Sequence, residues 1–258
     1  MKIALAQIAL TLGQPNLNLR TATEAVAQAA RAGAELVLLP ELWACGYASE
    51  RFAACASQID AGVFAQMAAL ARAYRVAVGG SHLERDGEQQ YNTFALYGPD
   101  GTRWGAYRKI HRFLPLGEGV LAAGQQVGLA ETPWGKVGLA VCYDLRFPEV
   151  FRTQALAGAR LLLVVAEWPL ARIAHWEALL RARAIENQAF VAAVNRVGES
   201  AGTRFGGMSM VLSPRGDVVA QAGSTETLLL AEVDLAEADA YRAAFPALRH
   251  RRPEAYRL

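Results

Sequence analysis

Apolar residues gather in short runs bounded by turn residues, and such runs recur along the whole chain. Those at 3–8, 35–39, 76–79, 93–97, 137–141, 161–166, 190–194, 208–212 and 227–233 have the length of buried strands. Stretches with helical spacing lie between several of them. Residues 18–32 are alanine-rich and close on Gly33, and 147–157 close in the same way on Gly158, where glycine suits the end of a helix. Within 172–188, Trp176, Leu179, Leu180 and Ala184 fall on one helical face. Alternating strands and helices, with hairpins mixed in, predict an α/β protein with covered sheets.

The pattern occurs twice. Ala32-Gly33-Ala34-Glu35-Leu36-Val37-Leu38-Leu39 parallels Ala157-Gly158-Ala159-Arg160-Leu161-Leu162-Leu163-Val164, each a helix end followed by a buried strand. Ala71-Arg72-Ala73 leading to Val76-Ala77-Val78 parallels Ala182-Arg183-Ala184 leading to Val191-Ala192-Ala193-Val194. The turn Gly98-Pro99-Asp100-Gly101 parallels Ser213-Pro214-Arg215-Gly216. Three matches in the same order predict a pseudo-twofold arrangement: two related sheets face to face, with helices outside, a four-layer αββα sandwich. No Ser/Gly/Pro-rich linker separates the halves, so residues 1–258 are expected to share one core as a single domain.

Composition narrows the function classes. The chain has 258 residues, 53% hydrophobic and 19% charged, with a net charge of +2, which describes an ordered globular protein with no reason to bind nucleic acid or a membrane surface. The basic cluster Arg249, His250, Arg251 and Arg252 reads as a solvated tail. The N-terminal residues reach polar positions too quickly for a signal peptide, and the apolar run 161–166 is far short of the roughly 18 residues of a membrane span. Three cysteines without metal-like spacing argue against a disulfide framework and a zinc site. A cytoplasmic protein with free thiols is expected, and a free thiol can be a nucleophile.

Three segments carry candidate chemistry. Leu38-Leu39-Pro40-Glu41 sets a carboxylate just past a buried strand, where α/β sheets present functional groups. Leu139-Ala140-Val141-Cys142-Tyr143-Asp144 puts a thiol at a strand-to-helix junction, which exposes a side chain and aims backbone N–H groups at whatever the thiol attacks. Tyr107-Arg108-Lys109-Ile110-His111 follows the hairpin after Gly98–Gly101. Taken singly, Glu41 reads as a loop acid, Lys109 as a surface charge, His111 as a structural hydrogen-bonder and Cys142 as a small buried hydrophobe. Cys45 and Cys55 fit that last description too, with Cys45 near enough to Glu41 in sequence to line the same cleft.

Together and in this order, Pro40-Glu41, Tyr107-Arg108-Lys109-x-His111 and Cys142-Tyr143-Asp144-x-Arg146-Phe147-Pro148-Glu149 closely resemble the carbon–nitrogen hydrolase (nitrilase) superfamily. The resemblance covers essentially the whole chain, through Arg183-Ala184-Ile185-Glu186-Asn187 and Gly207-Met208-Ser209. It implies the αββα sandwich, a homodimer, a small-molecule amide substrate and no metal or organic cofactor. It also implies roles: Cys142 as nucleophile, Glu41 as general base and acid, and Lys109 as the cation that stabilises the tetrahedral oxyanion. The backbone N–H of Tyr143 becomes the second oxyanion donor, and Glu118 the supporting glutamate.

Ala166-Glu167-Trp168-Pro169 and His175-Trp176-Glu177 resemble the ω-amidase branch, whose members hydrolyse the terminal amide of 2-oxo acids such as 2-oxoglutaramate. Tyr241-Arg242-x-x-Phe245-Pro246 and the closing Tyr256-Arg257-Leu258 agree. Trp168, Arg146 and His175 are the expected substrate-binding residues, and Trp176 is expected in the core. Arg112, Arg172 and Arg204 are further candidates for pairing with a substrate carboxylate. N-carbamoyl amide hydrolysis and general aliphatic amidase activity are the alternatives within the fold; a catalytically silent binding protein is the alternative outside it.

Overall fold

The computed structural model describes residues 1–255. In chain order its strands are β1 (Lys2–Gln7), β2 (Leu36–Leu38), β3 (Ala77–Asp86), β4 (Gln89–Tyr97), β5 (Arg103–Arg108), β6 (Gly128–Thr132), β7 (Gly135–Val141), β8 (Leu161–Ala166), β9 (Phe190–Asn195), β10 (Val197–Ser200), β11 (Thr203–Gly206), β12 (Met210–Leu212), β13 (Val218–Gln221) and β14 (Thr227–Glu232). The helices are α1 (Pro15–Arg31), α2 (Phe52–Cys55), α3 (Gly62–Tyr74), α4 (Pro148–Leu156), α5 (Ile173–Asn187) and α6 (Ala236–Ala244).

Two six-stranded sheets form, ordered β14-β1-β2-β3-β4-β5 and β6-β7-β8-β9-β12-β13, with β10 and β11 as a separate hairpin. The duplicated pattern is visible in their directions. In each sheet the second, third and fourth strands run parallel, the first and fifth run antiparallel to them, and the sixth is antiparallel to the fifth. The paired turns also match: Gly98 N–H bonds Thr102 C=O and Gly101 N–H bonds Gly98 C=O, just as Ser213 bonds Asp217 and Gly216 bonds Ser213. Each turn is preceded by a register shift, at Leu96/Tyr97 and at Val211/Leu212.

Side-chain alternation builds the layers. Ile3, Leu5, Leu36, Leu38, Phe94 and Leu96 join one buried cluster with Leu139, Val141, Leu163 and Val165 of the second sheet. Their neighbours Ala4, Ala6, Val37, Leu39, Ala95 and Tyr97 join a second cluster, with α1 and α3. Helices α4 and α5 cover the outer side of the second sheet, where Trp176, Leu180 and Ala184 are buried and Trp176 Nε1–H bonds Met208 C=O at 2.9 Å.

Some boundaries differ from the sequence pattern. The strand expected at 76–79 runs on to Asp86 as half of a long hairpin, because polar Ser81, His82 and Glu84 are buried with partners. The strand expected at 208–212 begins only at Met210, since Met208 takes a left-handed φ of 57° and leaves the ladder. Both predicted helix-ending glycines hold: Gly33 and Gly158 have φ of 77° and 102°. Arg242 of α6 donates to the carbonyls of Ala159, Asn187 and Gln188, so this part of the C-terminal region docks on its own chain; Tyr256, Arg257 and Leu258 lie outside the described residues. Among the described residues, no helix is long and apolar enough to cross a membrane.

Candidate active site

The chain exits of β2, β5 and β7 bring Glu41, Lys109 and Cys142 together. Glu41 and Lys109 are 0% and 1% exposed, and Lys109 Nζ donates to Glu41 Oε1 at 2.8 Å. Lys109 also donates to Glu118 Oε2 at 2.8 Å and Oε1 at 3.0 Å, so the ammonium is held between two buried carboxylates. Asn92 of β4 completes the set, its Nδ2 donating to Glu41 at 2.8 Å and Glu118 at 2.9 Å. Tyr47 Oη lies 2.7 Å from Glu41 and 3.1 Å from Glu118 and gives its single hydrogen to that pair.

This network accounts for its own charges. Burial opposes the Lys109 charge, but Glu118 and then Glu41 outweigh it and hold the ammonium well above the ordinary lysine range. Burial likewise opposes ionisation of Glu118, yet Lys109, Asn92 and the Phe113 N–H keep it below the usual carboxylate range. The Glu118 loop turns sharply at Gly117, where φ is 88° and a Cβ would lie 2.8 Å from Ser49 Cβ, so only glycine fits.

Cys142 sits at a strained turn. Its φ is 46°, a left-handed conformation costing roughly 1–2 kcal/mol for a non-glycine residue. Asp144 holds the turn in place: its carboxylate accepts from Val141 N–H at 3.0 Å, Tyr107 Oη at 2.8 Å and His111 N–H at 3.1 Å. His111 Nδ1 lies 2.9 Å from the same carboxylate, and its ring stacks on Phe147 at 3.5 Å. Tyr107 and His111 thus clip the Lys109 segment onto the cysteine turn, which explains their spacing around Lys109. Burial, then the neighbouring Glu41 carboxylate, push the Cys142 thiol up, with Lys109 pulling the other way. A thiol in that state needs a base to ionise it, and Glu41 is the adjacent carboxylate.

The carbon–nitrogen hydrolase family model matches residues 2–243. The chain belongs to the carbon–nitrogen hydrolase family. It is 35% identical over 256 residues to the 2-oxoglutaramate amidase of Bacillus subtilis (strain 168), covering 98% of each protein. It is 36% identical over 250 residues to omega-amidase NIT2 of Xenopus tropicalis, covering 93% of this chain and 91% of that one. Among solved structures it is similar to a mutant amidase from Nesterenkonia sp. AN1 carrying acrylamide on its active-site cysteine. The TM-score is 0.88 at 31% identity, over 98% of this chain and 97% of that one.

In this carbon–nitrogen hydrolase the cleft over Cys142 is narrow. It is lined by Phe113, Leu116, Tyr143, Arg146, Trp168 and Arg172 with Cys142 and Glu167, and its free volume is about 20 Å³. Of the expected substrate-binding residues, Trp168 and Arg146 therefore face the cleft, with the Arg146 guanidinium 4.9 Å above the Trp168 ring. His175 is not among the lining residues; its Nδ1 lies 3.3 Å from Arg146 Nη2, one step behind it. Arg172 also lines the cleft, Arg112 is tied to Leu121 C=O at 2.6 Å, and Arg204 lies on a neighbouring outer groove. Arg183 donates to Leu145 C=O and pairs with Glu186 at 2.8 Å, bracing the far end of the cysteine turn.

Tyr47, Asn92, Asp144 and Glu167 are polar contributors to which the sequence motifs assign no role. Asp144 and Glu167 did leave a signal, an acid at the end of an apolar strand run, while Asn92 and Tyr47 left none.

Cys45 does not line the cleft. It is buried with Leu42, Phe52, Leu83 and Leu121 beneath the Glu41–Tyr47 segment, because its side chain turns toward Cys55. Cys55 is lowered to about 7, first by a hydrogen bond from Cys45, against burial and with help from Arg51, while Cys45 is pushed up. Since thiolate is the reactive form, Cys55 is expected to be alkylated by iodoacetamide increasingly fast as pH rises through about 7, and ahead of Cys45. Peptide mass spectrometry checks this; equal labelling of Cys45 and Cys55 throughout would contradict it.

Proposed function

We propose that this chain is an ω-amidase that hydrolyses the terminal amide of short 2-oxo acid amides such as 2-oxoglutaramate, releasing ammonia and the corresponding acid. The observation that carries the hydrolytic reading is the buried Glu118–Lys109–Glu41 chain of charges beside the Cys142 thiol. The relatives named above support the substrate class, as does Arg146 over Trp168 in the cleft, a cation placed to pair with a substrate carboxylate.

Glu41 takes the Cys142 proton as Sγ bonds to the amide carbon, and the carbonyl π electrons move onto oxygen. Lys109 and the Tyr143 N–H receive that oxyanion. Tyr143 lies in the first turn of the 3₁₀ segment Cys142–Arg146, where N–H groups have no intrahelical acceptor. Lys109 has two hydrogens on the carboxylates and a third only 3.3 Å from Tyr47 Oη, a contact long enough to give up. The oxyanion collapses, the C–N bond breaks, and Glu41 passes its proton to the departing nitrogen. Water, deprotonated by Glu41, then attacks the Cys142 thioester, and the thiol regains the proton as the acid leaves.

Ammonia release from 2-oxoglutaramate is expected to exceed that from simple aliphatic amides and N-carbamoyl amino acids. Preference for the N-carbamoyl compounds would overturn the substrate assignment while leaving the hydrolytic chemistry intact. Three free thiols support a cytoplasmic setting. The proposed assembly is a homodimer using apolar surface on the outer helices, where Leu156 of α4 and Ile185 of α5 are exposed; a lone 27.8 kDa species in light scattering would contradict it.

A further inference from the structure

Glu167 and Arg196 are the buried ion pair that the mechanism above leaves unused. Both side chains are fully enclosed, and Arg196 Nη1 donates to Glu167 Oε2 at 2.8 Å. A buried pair of this kind is a poor way to hold a fold together, since well-packed apolar residues do so without the cost of desolvating two charges. Its position gives a better reason. The Glu167 N–H donates to Glu41 Oε2 at 2.9 Å, and the Glu167 C=O accepts from Cys142 Sγ at 3.9 Å. One residue at the end of β8 therefore touches both groups that exchange the proton.

The side chain anchors that backbone from behind. Three more side-chain N–H groups of Arg196 donate to Leu10 C=O at 2.9 Å, Ser200 Oγ at 3.1 Å and Val197 C=O at 3.2 Å, and its backbone N–H donates to Ala166 C=O at 3.2 Å. The guanidinium also lies 4.4 Å from the Phe205 ring. It thus ties the exits of β1, β8 and β9 into one unit. Among the described residues Glu167 Oε1 has no hydrogen-bond partner, and it faces Gly46, where a Cβ would stand 3.4 Å away. Gly46 belongs to the segment that carries Glu41 and Tyr47, so the free carboxylate oxygen abuts the strap holding the base.

We infer that Glu167, fixed by Arg196, is a positioning residue that holds Glu41 and Cys142 in proton-transfer geometry and couples that geometry to pH. This inference rests on the roles proposed for Glu41 and Cys142. The charged and titratable groups facing Glu167 are Arg196, Glu41, Lys109, Cys142 and, from the strap, Cys45. Burial raises Glu167 to about 7 against the pull of Arg196, with Glu41 adding to the rise. Below that pH the carboxyl is neutral and the ion pair is lost; above it the carboxylate grips Arg196 and the β8 end is held.

The experiment compares Glu167→Gln, Glu167→Ala and Cys142→Ala in steady-state kinetics from acid to mildly basic pH, using the amide that gives the fastest ammonia release. Wild type is expected to show a rise in kcat through about pH 7. Glu167→Gln keeps the size of the side chain but not the titration. It is expected to lose that inflection and to run about three- to tenfold slower on the basic side, with KM nearly unchanged. Glu167→Ala frees the peptide and is expected to lower kcat by about 10- to 100-fold. A wild-type kcat and inflection in Glu167→Gln, with Cys142→Ala inactive, would overturn the role of the pair alone. Ammonia release surviving in Cys142→Ala would instead overturn the hydrolytic mechanism. Thermal melts of each variant separate lost folding from lost positioning, and a slow Glu167→Ala that melts like wild type supports the pair.

Discussion

Lys109→Met is expected to lower kcat/KM by at least about 100- to 1000-fold and to destabilise the protein by about 3–5 kcal/mol. The kinetic loss follows from the oxyanion role proposed for Lys109, whose charge is fixed by two carboxylates before substrate arrives. The stability loss has a different origin. Glu41 and Glu118 share Asn92 and Tyr47 as donors, and both carboxylates are fully buried. Without the ammonium between them, two like charges remain buried side by side, and one of them must take up a proton. Steady-state kinetics with urea unfolding checks both effects. A variant that loses activity but keeps wild-type stability would mean that the buried pair of glutamates is neutralised in some other way.

Glu41→Gln is expected to lower kcat by about 10²–10⁴-fold, with a smaller stability loss of about 1–3 kcal/mol. Glutamine cannot take the Cys142 proton. Its geometry is also mismatched, because Glu41 Oε1 accepts from Lys109, Asn92 and Tyr47 while Oε2 accepts from Glu167 N–H. The amide NH₂ must face one of these donor sets, and either orientation leaves at least one donor without its acceptor. The smaller stability cost relative to Lys109→Met follows from charge. Glu41→Gln leaves Lys109 paired with Glu118, whereas Lys109→Met leaves two acids unpaired. Reversal of that order in paired unfolding curves would contradict this charge assignment.

The three motif residues could be placed along the chain because each sits beside a local punctuation mark, while their roles were expected only from the resemblance of the three motifs taken together. Pro40 ends β2 before Glu41, the Gly98–Gly101 turn precedes the strand leading to Lys109, and an apolar run ends at Cys142. The duplicated sandwich was legible for a similar reason: helix-ending glycines and turn residues recur at matching places. What stayed hidden depends on distant partners. Asn92 looks like an ordinary strand residue until Glu41, 51 positions away, supplies its acceptor. Helix α3 opens at Gly62 with no side-chain cap and ends on Arg75 at φ 52°, so neither end carries the usual signals. In β13 both Val218 and Val219 are exposed, so the alternation that marks a half-buried strand is missing. Glu167 stood in the sequence as an acid at a strand end within the Ala166–Pro169 motif, and the role inferred for it rests on backbone contacts that no side-chain pattern encodes.

The hydrolytic mechanism stands or falls on a covalent bond to Cys142. Wild-type enzyme mixed with 2-oxoglutaramate or the best alternative amide, and quenched with acid during turnover, is to be digested and weighed peptide by peptide. The predicted result is a mass gain equal to the acyl group on the peptide containing Cys142, lost on treatment with hydroxylamine and absent from Cys142→Ala. Full-rate ammonia release with Cys142 unmodified at every quench time, together with activity retained in Cys142→Ala, would contradict it.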